Sequence, residues 1–352
     1  MSRLRIMPVS KPHAPSHERR QPYERQYIGI DLHKASFHAC AVTETGTRLW
    51  EASFPRSAAG IAALAAREVA GAQLAVEATG PTWAFVDAVT AIGVQACVVD
   101  PRKTKLKAGF AAKTDRLDAR RLADALRRES VVSIYIPPPP IRQLREWCRG
   151  RQQLVRLRTR VVQAIRALLL RQDGPEPPVT SLIGVKGLAW LTTVHVEDAS
   201  EPTLRRLERV LLAVHAEART AEAAVKATAG ADPIAVALTQ IVGVGPILSV
   251  VLRAEIGTIA RFTSGAALAS YAGLVPRVDA SAGIIHTGRI TRQGSPWLRW
   301  ALVEMALHAT KRSDARGRWV RRLAVHKGLQ KARVALARRM CNEIVEIWRQ
   351  VG

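Results

Sequence analysis

The pattern of hydrophobic and polar positions changes twice along the chain. Up to residue 26 the sequence is polar, basic and without periodicity, which predicts a disordered basic arm over residues 1–26. From Tyr27 onward, short apolar runs predict strands, and longer runs with helical spacing predict helices. The predicted elements are strands at 27–30, 37–43, 48–54, 73–76 and 94–99, helices at 57–70 and 81–92, a third helix carrying residues 115–118, and a last strand at 131–136. This order predicts a mixed sheet with helices packed on it over residues 27–136.

The rest of the chain is predicted to be mainly helical, so the predicted fold class is α/β plus α. Four prolines at 137–140 form a stiff connector. Residues 141–230 are predicted to form a helical segment, a coiled coil or an antiparallel hairpin, because apolar residues in its first helix recur with a period near 3.5. A C-terminal domain at 234–352 begins with a helix-hairpin-helix pattern, for which a plain packing unit is the alternative to a DNA contact.

Four carboxylates stand where the predicted sheet would bring them together. Asp31 and Glu77 each follow an apolar strand, and functional groups collect at the carboxyl ends of strands in such sheets. Asp115 and Asp118 are three residues apart, so they share one face of a helix. Two carboxylates about 4 Å apart repel by roughly 4 kcal/mol at an effective dielectric constant near 20, so four in one pocket require a divalent cation. Ligands that are all oxygen predict Mg²⁺ or Mn²⁺.

Each carboxylate also has an ordinary structural interpretation. Asp115 could stabilise a helix start, and Asp118 could pair with Arg121 or Arg116 along the helix. Asp31 could be a turn residue after a strand, and Glu77 could simply begin a strand-to-helix loop. Only the joint pattern favours a metal site over these alternatives. Three other carboxylates are excluded by their positions: Asp87, Asp100 and Asp124.

The charge of the chain predicts a polyanionic partner. Its net charge is +24, from 53 basic and 29 acidic residues, and nucleic acid is the first expectation. Basic residues are concentrated in three ranges, 102–128, 141–172 and 311–352. The second range contains nine arginines and one acidic residue, Glu146, and the third contains twelve basic and three acidic residues. A solvated helix face is the alternative for several of these arginines.

Other classes of protein are less compatible with the sequence. The sequence contains no apolar run of about 18 residues, which a membrane span would require. Its four scattered cysteines form no C-x-x-C pair. Residues 1–26 lack the apolar segment of a secretion signal, which predicts a cytoplasmic protein.

Several segments, in this order, resemble the IS110/IS1111 family of insertion-sequence transposases. YIGID at 27–31, EATG at 77–80 and TDRLDA at 114–119 resemble the family's N-terminal RuvC-like, ribonuclease-H-type domain with its D-E-D-D metal site. Residues 241–257, AGLVP at 272–276 and residues 288–299 resemble its C-terminal transposase domain.

The resemblance implies a DNA recombinase guided by a structured non-coding RNA that pairs with donor and target DNA. In the family a C-terminal serine attacks DNA, and by position this role carries over to Ser281, five residues beyond Pro276 in a glycine-containing loop, with Thr287 as the distant alternative. A covalent phosphoserine would conserve the energy of the phosphodiester for rejoining. A composite site from two domains and a homo-oligomer, dimer or tetramer, are expected. The alternatives are a metal-dependent nuclease or junction resolvase that uses water, and a non-enzymatic basic nucleic-acid-binding protein.

Overall fold

A computed structural model of the protein describes residues 25–100, 104, 115–281 and 284–352, without the side chains of 115, 278–281 and 284–287. The predicted basic arm therefore lies outside the described residues, except for its last two positions. The chain divides into two units, Met1–Ile136 and Pro137–Gly352. The predicted helical segment at 141–230 and the predicted C-terminal domain at 234–352 both belong to the second unit.

The first unit contains a five-stranded mixed sheet with strand order β3-β2-β1-β4-β5. Its elements are β1 Tyr27–Leu32, β2 Ser36–Val42, β3 Arg48–Pro55, α1 Ala58–Ala65, β4 Gln73–Glu77, α2 Thr82–Ala91, β5 Gln95–Val99 and α3 Asp115–Arg127. Strands β1, β2 and β3 pair antiparallel, whereas β4 is parallel to both β1 and β5. The predicted mixed sheet with packed helices is confirmed.

The prediction of a strand at 131–136 is wrong. Only Ser133 forms a bridge, to Val99 at the end of β5. The backbone N–H of Val132 donates to the Thr104 hydroxyl at 3.0 Å instead of to a neighbouring strand. The prolines that follow cannot donate to a ladder at all, so the pairing does not extend.

Each face of the sheet buries a separate set of side chains, because successive residues of a strand point to opposite faces. Ile28 and Ile30 of β1 lie on the face covered by α1 and α2. Tyr27 lies on the other face, where it packs with Ala75 of β4 and with the apolar stripe of α3. Helix α3 thus covers one face of the central strands.

The approach of α3 to β1 depends on Gly29. A Cβ atom built at Gly29 would lie 1.9 Å from the carbonyl oxygen of Ala119 and 2.4 Å from the backbone nitrogen of Ala123. Any side chain at position 29 would push the helix away from the sheet. The first unit therefore holds α3 in backbone contact with its central strand.

The second unit is mainly helical, as predicted. Its elements are α4 Pro139–Arg171, α5 Val185–Thr193, α6 Glu201–Ala231, α7 Pro233–Leu238, α8 Pro246–Ile256, α9 Gly265–Tyr271, β6 Pro276–Ser281, β7 Ile284–Ile290, α10 Pro296–Thr310, α11 Ala315–Lys327 and α12 Leu329–Val351. None of the helices in the described part of the chain combines the length and apolar character needed to cross a lipid bilayer.

Helices α4 and α6 form an antiparallel hairpin. The buried positions of α6 include Leu204, Leu211, Ala218 and Val225, which recur every seven residues. The first two pack in one cluster with the C-terminal half of α4, whereas Val225 shares a cluster with Cys148 near the start of α4. The seven-residue spacing keeps one stripe of α6 against α4 over its length.

Candidate active site

Asp31 and Glu77 lie side by side at the carboxyl edge of the sheet. The parallel pairing of β1 with β4 matches Ile30 with Val76, so the next residue on each strand is one of the two candidate carboxylates. Neighbouring strands are about 4.8 Å apart, and matched residues point to the same face. Asp31 and Glu77 therefore share the face that α3 covers.

Helix α3 runs antiparallel to β1, so its first turn lies toward this edge. At its other end, Arg127 Nη1 donates to the carbonyl oxygen of Glu44 at 3.2 Å, in the turn between β2 and β3. That turn adjoins the start of β1, because Val42 pairs with Tyr27. The start of α3 therefore points to the strand ends that carry Asp31 and Glu77.

Asp118 continues the buried stripe of α3 toward this edge. The stripe consists of Ala119, Leu122, Ala123 and Leu126. Asp118 precedes Leu122 by four residues, one turn, and is half-buried. Asp115 is the first residue of α3, and its side chain lies outside the described residues.

The side chains of Asp31, Glu77 and Asp118 lie at the same edge of the sheet, but they are not arranged around a common metal position. Asp31 Oδ2 lies 3.2 Å from His33 Nε2, and Asp118 Oδ1 accepts a hydrogen bond from Arg121 at 3.3 Å. Within the described part of the chain, no group of three or more His, Cys, Asp or Glu side chains is arranged to hold a metal ion. The Asp118–Arg121 pair is the intrahelical alternative considered for Asp118; such partly exposed pairs contribute about 0–1 kcal/mol, so it is easily exchanged.

Arg116, the other arginine considered as a partner of Asp118, is bound elsewhere. Its Nε donates to Glu51 Oε1 on β3. The same oxygen lies 3.0 Å from His38 Nε2, which must be the donor because an ionised carboxylate only accepts. His38 Nδ1 lies 2.7 Å from the Ser53 hydroxyl. This network of Glu51, His38 and Arg116 connects the first turn of α3 to β2 and β3.

The network lowers the pKa of Glu51 to about 2. The hydrogen bond from Arg116 is the largest cause and the one from His38 adds to it, against the opposing effect of burial. Sequence reasoning did not identify Glu51. The β2–β3 register contained the signal, because it pairs Cys40 with Glu51 and His38 with Ser53 and so places polar residues together on the α3 face.

Ser281 is the last residue of β6, paired with Ile284 at the end of an antiparallel hairpin. The predicted loop position is therefore corrected to a strand end, although residues 282–283 and the Ser281 side chain lie outside the described residues. Thr287, the alternative nucleophile, pairs with Val278 farther down the hairpin. The two hydroxyl residues thus occupy different positions along β6 and β7.

A close backbone crossing fixes the base of this hairpin. A Cβ atom at Gly273 would lie 2.2 Å from the carbonyl oxygen of Gln293, and one at Gly294 would lie 1.9 Å from that of Tyr271. The N–H of Thr291 donates to the carbonyl oxygen of Val275 at 2.9 Å. Because Gly273 and Gly294 have no side chains, the segment before β6 and the segment after β7 can lie in backbone contact. This contact supports the hairpin that carries Ser281.

The helix-hairpin-helix pattern corresponds to the short helix α7, a turn through Gly243 and Gly245, and helix α8. A cleft of about 570 Å³ beside this turn is lined by its residues and also by Arg151, Lys226 and His308, each of which pairs with Glu222 or Glu304 of the same lining. The formal charges of the arginine, lysine and glutamate side chains in this lining therefore cancel.

Several of the nine arginines at 141–172 bind groups inside the second unit. Arg149 forms two hydrogen bonds to the buried carboxylate of Glu255, at 2.9 and 3.1 Å. Arg145 donates to two carbonyl oxygens of α8, and Arg151 donates to Glu222 of α6 at 3.2 Å. These guanidinium groups hold α4 to its neighbours, so the expected nucleic-acid contact can involve only part of the set.

Two family models match the chain. A model of IS110-type DEDD transposases, described as a transposase, matches residues 28–172, and a model described as the transposase IS116/IS110/IS902 family matches residues 235–320. The first match contains the four candidate carboxylates, and the second contains Ser281.

Similar proteins are found in several bacteria. The chain is 25% identical over 332 residues to the transposase for insertion sequence element IS1111A of Coxiella burnetii, which aligns 91% of this chain with 88% of the relative. It is 28% identical over 236 residues to a probable family 20 transposase of Pseudomonas aeruginosa, with 64% and 69% of the two chains aligned. It is 38% identical over 92 residues to an uncharacterized 43.6 kDa protein of insertion element IS110 of Streptomyces coelicolor, with 26% and 23% aligned.

The lowered pKa of Glu51 predicts a specific pH dependence of stability. Ionised Glu51 stabilises the first unit above its unfolded-state pKa near 4.5, and this contribution is lost as the pH falls toward 2. Glu51→Gln should lower the free energy of unfolding at pH 7 by about 1 kcal/mol, a modest value because Arg116 is largely exposed. The measurement is urea denaturation of the first unit between pH 7 and pH 2.5.

The difference between Glu51→Gln and the unchanged protein should shrink below pH 4.5. Glu44→Gln removes an exposed carboxylate from the same hairpin and should change stability by less than about 0.5 kcal/mol. A loss at Glu51 that stays constant with pH would contradict a role for its charge.

Proposed function

Because the chain belongs to the IS110/IS1111 family of insertion-sequence transposases, we propose that this DNA transposase cuts and rejoins strands with a metal-binding carboxylate site and a serine nucleophile. The observation that carries the proposal is the shared position of Asp31 and Glu77 on the sheet face covered by α3, toward which Asp118 is directed. Asp115 completes the proposed D-E-D-D set.

The proposed domain is RuvC-like, of the ribonuclease-H type. In support, three antiparallel strands are followed by two parallel ones in the order β3-β2-β1-β4-β5. In this arrangement β1 is central, and it carries the first carboxylate at its carboxyl end, where ligands and substrates bind in α/β sheets.

The donor atoms fit Mg²⁺ or Mn²⁺. Asp31, Glu77, Asp115 and Asp118 would hold the ion, and carboxylate oxygens are the ligands that these hard cations prefer. When bound, the ion would polarise a phosphodiester and neutralise the charge that develops on it. The Arg116–Glu51 contact supports this assignment, because it keeps one nearby guanidinium from neutralising the carboxylates.

Ser281 is proposed as the nucleophile. Its Oγ forms a bond to phosphorus while the bond from phosphorus to a deoxyribose oxygen breaks, and the serine proton is transferred to the departing oxygen. The product is a phosphoserine linkage with one free DNA end. Attack by a deoxyribose hydroxyl on that linkage reverses the step and regenerates serine, so rejoining requires no ATP.

Donor DNA, target DNA and a structured non-coding guide RNA are the proposed partners. The net charge of +24 supports binding to nucleic-acid backbone. Arg160 and Arg171 of α4 are exposed and can contact phosphates. The turn before α8 is proposed as a helix-hairpin-helix that contacts DNA without reading its sequence, in support of which α8 begins directly after Gly245 and has its first backbone N–H groups available to a phosphate.

A homo-oligomer, dimer or tetramer, is also proposed, with contacts through the α4–α6 hairpin. In support, Leu157 of α4 and Val210 and Leu212 of α6 are between 40% and 45% exposed. Burial of any of these apolar side chains against a second copy would be favourable.

The carboxylate site predicts a contrast between two residues of α3. Asp118→Asn should slow DNA strand cleavage by roughly 10²-fold or more, since loss of a ligand should cost at least as much as loss of a group supporting a ligand. Asp124→Asn is the matched control, because Asp124 pairs with Arg127 at 3.2 Å, and it should cleave within a few-fold of the unchanged protein. The measurement is cleavage of labelled element-end DNA with Mg²⁺ and the guide RNA. Equal activity of the two variants would refute the assignment.

The serine mechanism predicts a covalent protein–DNA complex. Denaturing gels should show labelled DNA attached to the unchanged protein and not to Ser281→Ala, whose cleavage should fall roughly 10³-fold or more. Thr287→Val tests the alternative hydroxyl and should leave the complex intact. Full cleavage by Ser281→Ala without any covalent complex would instead indicate a nuclease or junction resolvase that uses water.

A further inference from the structure

Helices α11 and α12 enclose a basic pocket that the proposed reaction does not use. Its volume is about 290 Å³, and it is lined by Arg316, Trp319, Arg322, Arg339 and Glu343, among others. Three guanidinium groups and one carboxylate give the lining a net positive charge. An anionic ligand is therefore favoured over a cationic or apolar one.

Trp319 and Arg339 form a stacked pair in this pocket. The guanidinium carbon of Arg339 lies 4.9 Å from the centre of a Trp319 ring. Trp319 is half-buried, whereas Arg339 is exposed. Nucleobases stack both on aromatic rings and on arginine planes, so the exposed side of this pair can accept an unpaired base.

Arg316 is paired with Glu343 in the wall of the pocket. Its Nη2 pairs with Glu343 Oε2 at 2.9 Å. Its Nη1 is buried and has no hydrogen-bond partner among the described residues. Arg316 therefore adds positive charge to the lining, but this nitrogen is closed to a ligand.

Arg322 supplies a second, exposed guanidinium at the rim. It follows Trp319 by three residues on α11, so the two side chains are neighbours on one helix face. A rim arginine beside a stacking platform is suited to the phosphate of the nucleotide whose base is stacked.

We propose that the α11–α12 pocket binds one unpaired nucleotide of a single-stranded nucleic acid, with its base on the Trp319–Arg339 pair and its phosphate held by Arg322. Double-stranded DNA is not the expected ligand, because its bases are already stacked on each other. Guide RNA and unwound DNA both supply such a nucleotide. The inference rests on the nucleic-acid binding proposed above and not on the serine chemistry.

Fluorescence anisotropy of labelled oligonucleotides with the full chain in EDTA tests the pocket without strand cleavage. Single-stranded RNA, single-stranded DNA and duplex DNA of one sequence are the three probes. Trp319→Ala and Arg322→Ala should each weaken binding of a single strand by about 5- to 100-fold. Arg322→Ala should also reduce the log-log salt slope for single strands by about 0.7. Both variants should bind duplex DNA within about 2-fold of the unchanged protein, a margin that corresponds to a surface change of a few tenths of a kcal/mol.

Lys331→Ala on α12 removes the same charge outside the pocket and is the matched control. Trp319→Phe retains a stacking surface, so it should restore most single-strand binding and also separates stacking from misfolding. The pocket variants should weaken binding of one single-stranded probe, RNA or DNA, more than the other, and the more affected probe identifies the source of the nucleotide. Losses no greater than those of Lys331→Ala, or equal losses for duplex DNA, would overturn the proposal, whereas absence of a covalent serine complex would bear only on the proposed reaction.

Discussion

The backbone contact between α3 and β1 at Gly29 is the constraint on which the candidate site depends. Because Gly29 has no side chain, Ala119 and Ala123 lie directly on the central strand. This contact fixes the height of the helix, and the antiparallel direction places its first turn toward the carboxyl edge of the sheet. Asp118 is thereby directed to the strand ends that carry Asp31 and Glu77.

Two arginines of α3, Arg116 and Arg121, each bind a carboxylate among the described residues. Arg116 binds Glu51, whose pKa near 2 keeps it ionised and attached over the whole physiological range. Among the described residues, Asp118 pairs with Arg121 in a partly exposed contact. A divalent ion can displace such a weak pair, since a double charge at a ligand distance near 2 Å attracts a carboxylate more strongly than a partly solvated guanidinium does.

Much of the first unit could be predicted from sequence because its signals are local. Short apolar runs identified the strands, and the carboxylates that follow two of these runs identified the edge of the sheet where they meet. The run at 131–136 misled, because its apolar character resembles a strand while Thr104 and the following prolines prevent a ladder. Glu51 escaped notice because its role depends on β2–β3 register and on an arginine 65 residues away.

The second unit shows a different limit of sequence reasoning. Helix α5 and the hairpin of β6 and β7 were missed, although the β-branched residues at Ile284 and Ile285 after a Ser-Ala-Gly segment are a strand signal. No physical pattern singles out Ser281 from other serines. Its assignment came from resemblance, and its place at a strand end adds a rigid support that a loop would lack.

The central claim is that Asp31, Glu77, Asp115 and Asp118 hold one metal site on the α3 face of the sheet. Substituting Fe²⁺ and adding ascorbate and peroxide generates hydroxyl radicals at the bound ion, which cut the polypeptide next to it, and mass spectrometry maps the cuts. The account predicts cuts clustered near residues 31, 77 and 115–118, suppressed by excess Mg²⁺ and lost in Asp31→Asn. Cuts elsewhere in the chain, or the same cuts in Asp31→Asn, would contradict it.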